Sequence, residues 1–176
     1  MSDTTSPAAP PHLVVMGVAG CGKTSLAERV AATLRVPVVE GDAFHTPASR
    51  DKMRRGVPLD DADRAGWLAT LSDVLRSHPD GAVLACSALK RRYRDRLREG
   101  LPALRFAYLE IDEATARARV AQRQAQHLFP PTLVASQFAT LEPPLGEAGV
   151  LRLQATDPLP VLTDAVVRWL QPEVPS

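Results

Sequence analysis

Eight consecutive residues, Gly17-Val18-Ala19-Gly20-Cys21-Gly22-Lys23-Thr24, carry the strongest chemical signal in the chain. They fit the pattern GxxxxGK[ST], in which glycines let the backbone turn tightly and aim several N–H groups at one point. That cradle suits phosphate. Lys23 is placed to neutralise the outer phosphates, Thr24 offers a hydroxyl to Mg²⁺, and Ser25 continues the run of inward amides. Binding phosphates is only half of a reaction, so an acceptor site must be sought elsewhere. Asp42, after Glu40-Gly41, stands where a carboxylate could orient a hydroxyl nucleophile and take its proton, or arrange the water of a metal ion. The residue types leave that choice open. Between His45 and Arg64 the cations Arg50, Lys52, Arg54, Arg55 and Arg64 mix with Asp51, Asp60, Asp61 and Asp63. Mixed charge of this kind fits a solvated surface, and it also fits a pocket for an anionic substrate. Lys90 follows an apolar run, and Arg119 and Arg123, four apart, share a helix face from which they can reach one anionic ligand.

These groups need a scaffold, and the apolar pattern supplies one. Leu13–Met16 is a buried strand directly before the glycine loop, and the stretch to Leu34 is a helix whose dipole aims its positive end at the same point. Val36–Val39, Ala82–Cys86, Phe106–Ile111 and Val150–Leu153 read as four further strands. Helices are expected at 60–77, at 87–99 closed by Gly100, at 113–124, at 132–141 behind Pro130-Pro131, and at 159–170. The segment 43–58 reads as a polar connection. Strand and helix alternate, the pattern of an α/β fold with a five-stranded parallel sheet flanked by helices. Ligands in such sheets lie beyond the strands' carboxyl ends. Those ends carry the glycine loop, Asp42, Ser87 with Lys90, Asp112 and Asp157. On helix spacing Lys90, Arg94 and Arg98 share one face, with Asp95 in reach of Arg91 or Arg98. Apart from Lys90, these charges are expected to face solvent.

The totals remove several classes of function. A length of 176 residues suits one domain, and a formal net charge of +1 with 5% aromatic residues argues against nucleic-acid and anionic-membrane partners. Two cysteines, Cys21 and Cys86, make neither a disulfide framework nor a zinc site, and free thiols suit a cytoplasmic setting. The first residues lack a basic start and an apolar core, so they do not read as a secretory signal, and no stretch is long and apolar enough to span a membrane. Residues 1–11 read as a disordered tail, 12–171 as a single domain built on the phosphate-binding loop, and 172–176 as a short tail.

Longer motifs narrow the acceptor. The runs Gly41-Asp42-Ala-Phe-His45, Lys52-Met53-x-x-Gly56-x-Pro58-Leu59-x-Asp61-x-Asp63-Arg64-x-x-Trp67-Leu68, Cys86-Ser87-Ala88-Leu89-Lys90-x-x-Tyr93-Arg94-Asp95-x-Leu97-Arg98 and Ser136-Gln137-Phe138-x-x-Leu141-Glu142-x-Pro144 resemble the gluconokinases of the small P-loop type. The resemblance covers residues 12 to 170 and implies the fold of the adenylate and shikimate kinases, with a substrate-binding insert after the second strand and an arginine-bearing lid. It implies ATP-dependent phosphorylation of D-gluconate to 6-phospho-D-gluconate, with ATP and Mg²⁺ required, in a homodimer. On matched positions, Gly17 to Ser25 and Arg119 meet the nucleotide, and Lys23, Asp42 and Arg123 are catalytic. Thr24 meets the metal, while Asp42, His45, Lys52, Arg64 and Lys90 surround the sugar acid. The chain departs from the family pattern in three places. It has Arg123-Gln-Ala-Gln-His127 where Arg-x-Gly-His-Phe is usual, Gly66 before Trp67 where proline is usual, and Ser49 where asparagine is expected. Two rival readings remain: another small-metabolite kinase of shikimate type, and a nucleotide-dependent switch without an acceptor. Against the switch, no NKxD motif is present, and the DxxG at Asp63–Gly66 falls in a helical stretch.

Overall fold

The structure, a computed structural model, describes residues 10–123 and 130–171. Of the tail expected at 1–11, residues 1–9 lie outside the described residues, as do 172–176 and the stretch 124–129 with His127, whereas the Pro11 carbonyl accepts from the Ala82 amide at 3.1 Å. Five strands form one parallel sheet, as expected, and their order is β2-β3-β1-β4-β5. They are β1 (His12–Met16), β2 (Val38–Glu40), β3 (Ala82–Ala85), β4 (Arg105–Glu110) and β5 (Val150–Gln154). The helices are α1 (Lys23–Leu34), α2 (Pro47–Arg54), α3 (Asp61–Arg76), α4 (Arg91–Arg98), α5 (Glu113–Gln122), α6 (Leu133–Thr140) and α7 (Leu159–Leu170).

β1 lies at the centre, with Val14 opposite Leu84 on one side and Phe106 on the other. Successive strand residues point to opposite faces, so β1 feeds two cores. Leu13 and Val15 pack with Leu26 and Val30 of α1, Val120 of α5 and Val166 of α7. Val14 and Met16 pack with Leu68 and Leu71 of α3 and with Tyr93 and Leu97 of α4. A strand covered on both faces must be apolar throughout, which is why β1 and β3 read as unbroken apolar runs.

Three local expectations need correcting. The second strand starts at Val38 and runs through Glu40, so Glu40 belongs to the sheet. The segment 43–58 is not a plain connection: Gly41–Phe44 forms a 3₁₀ turn and Pro47–Arg54 forms α2. Thr46 caps α2 by accepting from the Ser49 amide at 3.1 Å, and Pro47 occupies its first turn, where a missing N–H costs nothing. Finally, the helix expected from Ser87 begins only at Arg91. Ala88 adopts φ 44°, which interrupts a helix and makes Ser87–Lys90 a loop beyond β3.

Candidate active site

The glycine loop leaves β1 and enters α1 through Gly22, whose φ of 92° lies in the left-handed region that glycine tolerates without strain. No side chain caps α1, and its first turn holds no acid, so its leading amides and positive dipole end are open to an anion. Lys23 folds back over the loop, donating from Nζ to the Val18 carbonyl at 3.1 Å. Cys21 is buried inside the turn, and desolvation pushes its thiol up despite Lys23 nearby, which favours the protonated form. Its sulfur fills the space beside Gly17, where a Cβ would come within 2.7 Å of Sγ.

The Thr24 hydroxyl donates to Glu40 Oε2 at 2.7 Å. Asp42 is the acid that the sequence offers for arranging a metal's water, yet the carboxylate that meets Thr24 is Glu40, two residues earlier. A hydroxyl and a carboxylate side by side are hard oxygen donors of the kind Mg²⁺ prefers. Among the described residues no group of three or more His, Cys, Asp or Glu side chains forms a self-sufficient metal cage. A site with few protein ligands fits an ion that arrives with phosphate oxygens and keeps water.

Asp42 is the second residue of the 3₁₀ turn and lines a cavity of about 480 Å³ that also reaches Lys23 and Thr24. Its Oδ1 lies 3.6 Å from His45 Nε2. His45 is almost fully buried and stacks on Trp67, with ring centroids 4.3 Å apart and planes 18° apart. Trp67 is itself fixed, because its Nε1 donates to the Gly41 carbonyl at 2.8 Å. His45 Nδ1 is buried without a hydrogen-bond partner among the described residues. Arg64 lines the same cavity, donates to the Leu59 carbonyl and the Tyr93 hydroxyl, and lies 5.5 Å from the Tyr93 ring centroid.

Other sequence candidates fall elsewhere. Lys52 is held by Asp63 at 2.9 Å and Lys90 by Asp61 at 3.3 Å, and neither is among the residues lining the cavity. Asp61 gathers the Tyr93 hydroxyl, Arg92 and Lys90, and these hydrogen bonds hold its carboxyl down at about 2. The bond to Asp63 raises Lys52, and the same bond lowers Asp63. Arg123, the cap residue after α5, lines the cavity, whereas Arg119 reaches the Gly20 carbonyl at 3.3 Å and the Ala155 carbonyl at 3.2 Å. Arg119 thus braces the back of the glycine loop. Asp112 caps α5 by accepting from the Thr115 amide at 2.8 Å, a structural duty.

The expectation that Arg94 faces solvent is overturned. It is 1% exposed, and all five of its N–H donors are used: Nε and Nη2 on Glu147, Nη1 on the Ala88 and Leu89 carbonyls, Nη2 also on the Glu142 carbonyl. It pins the Ser87–Lys90 loop, whose Ser87 carbonyl in turn accepts from the Gly17 amide at 3.3 Å. Asp95 pairs with Arg98 at 2.9 Å and lies 3.8 Å from Arg91, in keeping with helix spacing.

Residues 13–144 match a family described as an AAA domain. The chain is 42% identical over 167 residues to a gluconokinase of Gluconobacter oxydans, covering 93% of each. It is 39% identical over 155 residues to the thermosensitive gluconokinase of Escherichia coli, covering 86% of this chain and 82% of that one. The crystal structure of a gluconokinase from Sinorhizobium meliloti superposes with a TM-score of 0.83 at 40% identity, covering 92% and 91% of the two chains. A shikimate kinase from Acinetobacter baumannii, at 13% identity and a TM-score of 0.66, shares the fold.

Proposed function

Because the chain belongs to the gluconokinase family, we propose that it transfers the terminal phosphoryl group of ATP to the 6-hydroxyl of D-gluconate, yielding ADP and 6-phospho-D-gluconate. The observation that carries this reading is one cavity with two unlike ends. At one end stand Lys23, Thr24 and the open start of α1; at the other stand Asp42, His45 and Arg64.

Each group has a task set by its surroundings. The loop amides and Lys23 hold the outer phosphates. Thr24 and Glu40 would hold Mg²⁺, which when bound supplies charge neutralisation across those phosphates. Asp42 orients the acceptor hydroxyl and takes its proton as the new oxygen–phosphorus bond forms and the bond to ADP breaks. His45, locked against Trp67, fixes the Asp42 carboxylate and one edge of the acceptor pocket. Arg64 supplies positive charge to the sugar acid, while Arg123 faces the charge that develops in transfer. Lys52 and Lys90 take a secondary place, since Asp63 and Asp61 already neutralise them. Arg119 serves the nucleotide by holding Gly20.

Family resemblance supports a homodimer. Two buried free thiols support a cytoplasmic setting, and no helix among the described residues is long and apolar enough to cross a membrane. The test is ADP release by the purified protein with ATP and Mg²⁺, alone and with gluconate, shikimate or a nucleoside monophosphate. Strong stimulation by gluconate alone is expected. Stimulation by another acceptor would move the substrate, and slow hydrolysis with no stimulation would sink the kinase reading in favour of a switch.

A further inference from the structure

The outer edge of the phosphate loop is held by a residue far away in sequence. The Ala19 amide donates to Gln137 Oε1 at 2.7 Å across a separation of 118 residues, and both residues line the cavity. A backbone amide can only donate, so this bond decides which end of the carboxamide faces the loop: the oxygen. Nε2, with two donor hydrogens, is left to the other side, and among the described residues the carboxamide makes no second hydrogen bond. Gln137 lies on the face of α6 that walls the cavity, with Leu133, Ser136 and Thr140 at the spacing of one helix face.

That face is firmly seated. Leu133 and Val134 are buried, and beyond the end of α6 the Glu142 amide donates to the Leu89 carbonyl at 2.8 Å. The Glu142 carboxylate accepts from the Arg91 amide at 2.8 Å, and its carbonyl accepts from Arg94 at 3.0 Å. Gln137 is therefore anchored through its own oxygen and through the helix that carries it. A donor fixed in this way needs no reorganisation when charge develops nearby, which is what makes such a group effective in a transition state.

We propose that Gln137 donates through Nε2 to an equatorial oxygen of the phosphoryl group in flight, while its oxygen keeps the Ala19 edge of the loop in place. The inference rests on the kinase reading above and adds a neutral donor to the cations already there. In transfer the bond from phosphorus to the ADP oxygen breaks as the bond to the acceptor oxygen forms, and the acceptor proton goes to Asp42. Gln137 gains and loses no atom. Its contribution is a hydrogen bond that strengthens as negative charge spreads over the equatorial oxygens.

Gln137→Glu separates the two ends of the side chain: it keeps an acceptor for Ala19 and replaces the donor with a second, anionic oxygen. Gln137→Leu removes both. The measurements are steady-state kinetics, thermal melting, and calorimetric affinity for Mg·ADP with and without aluminium fluoride, which mimics the phosphoryl group in flight. We expect kcat to fall about 100-fold in Gln137→Leu and further in Gln137→Glu, with aluminium fluoride complex affinity falling in parallel and ADP affinity nearly unchanged. A Gln137→Glu protein with kcat within about threefold of the parent overturns the proposal. So does an equal loss for ADP with and without aluminium fluoride, or a collapse in melting temperature, either of which makes Gln137 a brace alone. If the parent protein shows no gluconate stimulation, the acceptor assignment fails instead; the ratio of the two ADP affinities, measurable without acceptor, still judges Gln137.

Discussion

Replacing Glu147 by alanine removes a carboxylate that supports the Ser87–Lys90 loop through Arg94 and is not among the residues lining the cavity. Its side chain is 6% exposed, and it accepts from Arg94 Nε at 2.8 Å, Arg94 Nη2 at 2.9 Å and Arg98 Nη2 at 3.1 Å. Losing it leaves the Arg94 guanidinium buried with no compensating charge, and breaking one side of a buried pair costs about 3–5 kcal/mol. A chain of this size loses roughly 2–4 °C of melting temperature per kcal/mol, so a drop of roughly 10 °C is expected for Glu147→Ala. Glu147→Gln keeps the shape and one acceptor, and should fall between the two. The pair also has a pH signature. Burial pushes the Glu147 carboxyl up, but the hydrogen bonds from Arg94 and Arg98 prevail and hold it below its ordinary value of 4.5. A carboxylate depressed in the folded state contributes its full stability above that ordinary value and loses it as pH falls through the folded value. The gap between parent and Glu147→Gln should therefore be constant near neutrality and close on acidification below about 4.5. Scanning calorimetry across pH reads both effects. A Glu147→Ala protein melting within about 2 °C of the parent would refute the view that the pair holds the Ser87–Lys90 loop.

Three substitutions test the cavity itself. Lys23→Ala should retain the fold, judged by circular dichroism, while phosphoryl transfer drops at least about 100-fold; near-normal turnover would remove Lys23 from the phosphates. Asp42→Asn should cost about 10²–10⁴-fold in kcat with little change in the KM for ATP, and unchanged kcat would reduce Asp42 to a turn residue. Glu40→Gln should shift the Mg²⁺ concentration giving half-maximal activity upward by about 10-fold or more, and an unshifted Mg²⁺ titration would deny Glu40 any part in holding the metal.

How far the sequence reached depends on the distance over which each feature is encoded. The glycine loop, β1 and α1 are local and contiguous, so spacing alone places Lys23 and Thr24 at the start of a helix behind a buried strand. The parallel sheet follows from the alternation of apolar runs and amphipathic stretches. α2 stayed hidden because its charged residues show no apolar period, and only Thr46-Pro47 marks its start. Arg94 was misplaced for a sharper reason. Its four-residue spacing from Lys90 and Arg98 describes a helix face but does not say what covers that face, and the carboxylate that does lies 53 residues later. Lys52 and Lys90 show the same limit from the other side. Their types suit an anionic ligand, yet α3 supplies Asp63 and Asp61 first.

The division of labour between Glu40 and Asp42 is the point at which sequence and packing have to be read together. As a pair two residues apart they look interchangeable. Gly41 separates them, because its backbone lies so close to β3 that a Cβ would come within 2.6 Å of the Ala85 carbonyl. With the chain pressed there and Trp67 holding the Gly41 carbonyl, Glu40 ends the strand facing Thr24, while Asp42 lies inside the 3₁₀ turn facing His45. On the proposed function, the carboxylate beside Thr24 serves the phosphate end of the cavity and the one beside His45 the acceptor end. A single close contact between the turn after β2 and the end of β3 thus sends two neighbouring acids to different partners.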